Sequence, residues 1–168
     1  MKLILALALT AACVLPRGVS ALPSKVSAQD PSIKDAYKQL RLLNASTEAG
    51  VSYSSFGEEW RKALGPINIA LEDSKQGKLT KQLEVIKGIY SDISNIWGCR
   101  FTARYISVAL NHCINSDFKE RNPAYVVVLN NELSKNSFEE MKYPTQAIVS
   151  NLFAQGSAQV KELGKMLK

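Results

Sequence analysis

The chain is poor in the residues that most chemistry needs. Of its 168 residues one is histidine, His112, and three are cysteine. Neither CxxC nor CxxCH occurs, so zinc and c-type haem sites have no motif behind them. His112 adjoins Cys113, but neighbours on a helix point about 100° apart and cannot readily share one ion. A lone histidine beside no serine motif gives serine or cysteine hydrolase chemistry no footing, and no phosphate-cradling glycine loop is present. Carboxylates pair only as sequence neighbours, Glu58-Glu59, Glu72-Asp73 and Glu139-Glu140, which diverge on a helix and read as solvated surface. No catalytic residue, metal or cofactor is therefore expected. No apolar run approaches the roughly 20 residues that span a bilayer as a helix.

Acidic residues are also missing before Asp30. What stands there is Lys2, an apolar run from Leu3 to Leu15, a break at Pro16-Arg17-Gly18, and two small-residue tripeptides, Val19-Ser20-Ala21 and Val26-Ser27-Ala28. This layout predicts a secretion signal over residues 1–28, cut after Ala21 or Ala28, and a secreted or periplasmic product. Thr10-Ala11-Ala12-Cys13 loosely resembles a lipoprotein box, which would instead anchor the chain by a lipid on Cys13. Cutting after Ala28 removes Lys2, Arg17 and Lys25 from the 21 basic residues, leaving 18 against 15 acidic ones, a net charge of +3. Such a surface, with no run of five or six like charges, is not a nucleic-acid footprint.

The remaining chain reads as one all-α domain, residues 30–168, an antiparallel bundle of three to four helices. Asp30-Pro31 caps and opens the first helix. Ala36, Leu43, Gly50, Gly57, Leu64 and Leu71 recur every seventh residue, the mark of a packed helix, which Gly65-Pro66 interrupts or kinks. Gly77 turns the chain, and Leu83, Ile86, Ile89, Tyr90, Ile93, Ile96 and Trp97 form the stripe of a second long helix. Asn115-Ser116-Asp117 is expected to end it. Asn122-Pro123 starts a shorter helix, for which the β-branched Tyr125–Leu129 stretch makes a strand the alternative. Pro144 is expected to open the last helix, with Ile148, Leu152, Gln155, Gln159 and Leu163 lining or bordering its inner face.

Folding the two long helices about Gly77 sets residue i level with residue 154 minus i. That register predicts Trp97 opposite Gly57 and Arg104 opposite Gly50, large side chains filling space left by glycine.

Two features could carry recognition. Arg100 and Arg104, one turn apart and framed by Trp97, Phe101 and Tyr105, offer two guanidinium forks to an anion; otherwise they snorkel or pair with Glu48, Glu58, Glu59 or Asp92. Tyr53, Phe56, Trp60, Tyr90 and Trp97 could line a pocket, though their spacing fits a core. Cys99 and Cys113 would lie about 21 Å apart on one continuous helix. A disulfide needs about 7 Å, so they pair only if the helix breaks between them. Asn44-Ala45-Ser46 is a glycosylation sequon. The expected role is an exported binding or protein-interaction module, with an anion sensor or carrier as the alternative.

The stretch from Leu43 to Phe56 (LNASTEAGVSYSSF), followed by Ile89-Tyr90 and Ile96-Trp97, resembles small exported helical proteins of cyanobacteria. The resemblance implies export and a helical bundle, and carries no catalytic motif.

Overall fold

A computed structural model describes residues 30–74, 77–102, 114–133 and 138–168, with the backbone alone described at 99–102, 131–133 and 138–145. Among the described residues there are six helices and no strand. They are α1 (Pro31–Glu48), α2 (Tyr53–Asp73), α3 (Lys78–Thr102), α4 (Ser116–Arg121), α5 (Pro123–Leu133) and α6 (Phe138–Met166).

Local chemistry explains most of the boundaries. Asp30 accepts hydrogen bonds from the Ser32 amide at 3.0 Å and the Ser32 hydroxyl at 2.7 Å, and Pro31 follows at the first helical position. The seven-residue spacing suggests that the first helix continues through Gly50, but it does not. Gly50 has φ 86°, a left-handed conformation that ends α1 at low steric cost. Ser52 then caps α2 by accepting from the Ser55 amide at 3.2 Å. Pro66 sits inside α2, where its missing N–H leaves the carbonyl of exposed Lys62 to water. Gly65 before it has no Cβ to clash with the proline ring.

Asn115, expected as a stop, is a start: its side chain accepts from the Phe118 amide at 2.8 Å and caps α4. Asn122-Pro123 opens α5 as expected, and the β-branched stretch is helical. The last helix begins at Phe138, six residues before the Pro144 expected to open it. A proline in the second turn costs one intrahelical bond, which the buried length beyond outweighs.

The architecture is a helical bundle of up-down-up-down sense. α1 packs on α2, α2 on α3, α3 on α6, and α6 back on α1. Each pair is antiparallel, as the cross-contacts show: Phe56 and Trp97 for α2–α3, Gln82 and Gln159 for α3–α6, Asn44 and Ser157 for α1–α6. The additional helices arise from the split at Gly50 and from α4 and α5, which lie in the connection between α3 and α6.

The core is continuous. Ile33, Ala36, Leu40 and Leu43 of α1 meet Phe56, Trp60, Ala63, Ile67 and Ala70 of α2. Leu83, Ile86, Tyr90, Ile93 and Ile96 of α3 meet Ile148, Val149, Leu152, Val160 and Leu163 of α6. Gln155, expected at the inner face, is exposed, whereas Gly156 beside it is buried against Tyr90.

The register about Gly77 is close to that expected, since Trp97 packs on Phe56 at 5.7 Å between ring centroids. The Trp97–Gly57 partnership is not: a Cβ built on Gly57 would meet nothing within 4 Å. The expected pairing of Arg104 with Gly50 falls outside the described residues. The close approach is reversed: Gly98 on α3 receives the Tyr53 hydroxyl, which an added Cβ would strike. Gly156 and Gly164 on α6 likewise receive Tyr90 and Tyr37. These helix glycines seat tyrosines from neighbouring helices.

Candidate functional site

The aromatic residues form a ladder through the bundle. Trp60 lies 5.5 Å from Tyr90, Tyr90 lies 6.5 Å from Phe56, and Phe56 lies 5.7 Å from Trp97 and 5.3 Å from Phe153. Trp60, Tyr90 and Phe56 are buried and belong to the core. Trp97 and Phe153 are half-buried, so the ladder surfaces at the end of the bundle that carries the Gly50 turn.

There the helices part into an open cleft of about 300 Å³ lined by Thr47, Gly50, Val51, Trp97, Gln146, Val149, Ser150 and Phe153. Four elements build it. α1 supplies Thr47 in its last turn, whose hydroxyl donates to the Asn44 carbonyl at 2.9 Å. The turn supplies Gly50 and half-buried Val51. α3 supplies Trp97, held edge-on against Tyr53 at 5.6 Å and against Phe153 at 5.6 Å and 86°. α6 supplies Gln146, Val149, Ser150 and Phe153, whose three- and four-residue spacings put them on one face. Val149 is buried, Phe153 half-buried, and Gln146 and Ser150 exposed, so the wall grades from apolar to polar outward. Among the described residues, none of the side chains that line the cleft is ionisable.

Trp97 is thus the residue of the expected recognition face that the structure places at a cavity. Arg100 lies on α3 three residues further and Cys99 lies between them; their side chains are not among those described. Arg104, Tyr105, His112 and Cys113 lie outside the described residues, and so do Cys13 and the whole expected signal. Three of the four acidic partners considered for the arginines, Glu48, Glu59 and Asp92, have other partners among the described residues. Glu48 accepts from Ser157 at 3.0 Å and pairs with Lys161 at 3.3 Å, Glu59 pairs with Lys62 at 2.7 Å, and Asp92 with Arg121. The Ser157 hydrogen bond, then Lys161, lowers the Glu48 pKa from its ordinary value. Glu58, Glu72 and Asp73 are exposed. Among the described residues no group of three or more His, Cys, Asp or Glu side chains could hold a metal.

Two polar clusters escaped the sequence reading. Asp92, 1% exposed, accepts from Arg121 Nη2 at 2.6 Å, Arg121 Nε at 3.1 Å and Asn122 Nδ2 at 2.8 Å. The Arg121 side chain crosses Gly88, where an added Cβ would stand 3.3 Å from it. This clamp ties the junction of α4 and α5 to α3, and the Asp92 hydrogen bond raises the arginine's pKa further. Asn44 is the centre of the second cluster. Buried at 7% exposure, it donates to Ser157 at 3.3 Å and accepts from the Tyr90 hydroxyl. The sequon asparagine is therefore a packing residue, with no room for a glycan in the folded chain. Its only sequence-level signal was an asparagine at a position level with the inward stripe. Asp92, one place before Ile93, gave a similar hint.

Comparison with protein-family models, curated proteins and solved structures finds no match. The site must be read from its own chemistry.

Proposed function

We propose that the chain is an exported, non-catalytic binding module that engages its ligand or partner through the cleft beside Trp97. The observation that carries this reading is the aromatic ladder. It is sealed at Trp60, Tyr90 and Phe56 but left half-open at Trp97 and Phe153, at a concavity with hydroxyl and amide groups on its rim. Apolar walls with a few placed polar groups are the general character of ligand sites. Rigid packing of Trp97 against Tyr53, Phe56 and Phe153 preforms the wall, which limits the ordering cost of binding. The N-terminal layout of Lys2, the apolar run and the small-residue tripeptides supports export, as does the resemblance to exported cyanobacterial helical proteins. No helix among the described residues is long and apolar enough to cross a membrane.

The test uses Trp97 as its own reporter. A Trp60→Phe variant leaves Trp97 as the single tryptophan. The small-molecule and macromolecular fractions of the fluid outside the producing cell's inner membrane are added separately. One fraction should shift or quench the emission, and a Ser150→Phe substitution that fills the rim should abolish the response. Emission unmoved by both fractions would overturn the reading.

A further inference from the structure

We infer that the segment from Ile114 to Leu129, which carries α4 and most of α5, is a strap that opens off the bundle as one unit, with Asp92 of α3 as its latch. The topology separates the strap from the rest. α1, α2, α3 and α6 each pack on two neighbours, and their ring closes without it. α4 packs on α5, and α5 on α6. The strap gives Ile114, Phe118 and Leu129 to the core and accepts, at the Tyr125 hydroxyl, one exposed hydrogen bond from Gln155 at 3.2 Å. Val127 and Val128 stay exposed. α2, by contrast, buries Phe56, Trp60, Ala63, Ile67 and Ala70. Units that bury less apolar surface open at lower free energy than the core beneath them.

The latch makes that opening all-or-none. Asp92 is 1% exposed. Among the described residues its three hydrogen bonds all come from the strap, two from Arg121 and one from Asn122. A strap that loosens partway leaves the carboxylate buried without its partners, which is strongly unfavourable. A strap that leaves altogether returns carboxylate and guanidinium to water, which solvates both. Arg121 is 39% exposed, so water already reaches the outer side of the pair. Gly88 completes the seat, because an added Cβ there would stand 3.3 Å from Arg121 Cδ and Nε. Shut and open are thus two discrete states, and in the open one Asp92 faces solvent on an otherwise intact bundle.

The experiment is native-state hydrogen exchange on the full chain across sub-denaturing urea. It follows the Lys119, Asn122 and Val126 amides, which donate to Asn115, Phe118 and Asn122 carbonyls, against the slowest amides of α2 and α3. The three strap amides should share one opening free energy and one urea slope, both smaller than those of the bundle. Arg121→Ala should speed their exchange about thirtyfold or more. Ala63→Gly in α2 should speed the bundle amides about fivefold or more and leave the strap amides unchanged. Strap amides that exchange one by one without urea dependence would reduce the segment to a frayed connection. Strap amides that match the bundle in free energy and slope, and respond to Ala63→Gly alike, would make the molecule a single cooperative unit. Either result overturns the inference.

Discussion

At the scale of single residues, the glycines separate what helix propensity wants from what packing wants. Gly57 and Gly156 are both helical, yet a Cβ at Gly57 meets nothing, while one at Gly156 would lie 3.0–3.2 Å from the ring and hydroxyl of fully buried Tyr90. Gly57→Ala should therefore raise stability by about 0.5–1 kcal/mol, the helix penalty of glycine. Gly156→Ala should lower it by about 1–3 kcal/mol, the cost of overpacking. Equal shifts of the two denaturation midpoints would contradict the packing described. Tyr90 offers a second case. Burial pushes its hydroxyl pKa well above the ordinary 10.0. A group that holds its proton more tightly when folded draws the chain toward unfolding as pH climbs past that ordinary value. Tyr90→Phe should flatten this alkaline loss. At neutral pH it should cost about 1–3 kcal/mol, because the buried Asn44 carbonyl loses its donor. Arg121→Ala should cost about 2–3 kcal/mol by leaving buried Asp92 with Asn122 alone. That is less than the roughly 3–5 of a fully buried pair, because Arg121 is 39% exposed.

At the scale of elements, caps and turns carry the argument. Ser32 hydrogen bonding holds the Asp30 pKa below 3.8, against the opposing effect of burial. For a carboxylate depressed in the folded chain, the stabilising contribution is complete above 3.8 and disappears as pH falls through the lower folded value. Asp30→Asn should keep most of the cap, since asparagine caps as well, but lose this acid dependence; Asp30→Ala should cost about 1 kcal/mol at neutral pH. Urea titrations at pH 7 and pH 3 would separate the two variants. The α1–α2 hairpin depends on Gly50, where any side chain must enter a left-handed conformation, so Gly50→Ala should cost about 1–2 kcal/mol. Much of this was legible in the chain: Asp30-Pro31, Asn122-Pro123 and the turn at Gly77 were read at their positions. The α1–α2 break was not, because Gly50 falls on a seven-residue repeat with Ala36 and Leu43, and periodicity cannot distinguish a glycine kept for space from one kept for a turn. The pairing of Gly50 with Ser52 two residues on was the available signal.

At the scale of the molecule, four long helices close into a ring of neighbours, and the site follows from that closure. Trp97 was visible as an aromatic beside Arg100. Thr47, Val51, Val149, Ser150 and Phe153 were not, because they come from α1, the turn and α6, and no local pattern joins residues about 100 positions apart. The N-terminal layout makes a separate prediction about the whole chain: terminal sequencing of the protein recovered outside the cell membrane should begin at Leu22 or Gln29. Recovery with Met1 intact, or with lipid on Cys13, would refute it.

Taken by itself, the sequence determined the helical class, the cap that starts α1, the proline that opens α5, the inward stripes of α3 and the approximate antiparallel register about Gly77. Each is a short-range consequence of spacing, capping and turn chemistry. Only the tertiary structure decided that Gly98, Gly156 and Gly164 seat tyrosines, that Asp92 is clamped by Arg121, and that the aromatic ladder opens beside Trp97. Those outcomes depend on which helix faces meet across the bundle, and burial, the force that selects among such meetings, acts between residues that the chain order keeps apart.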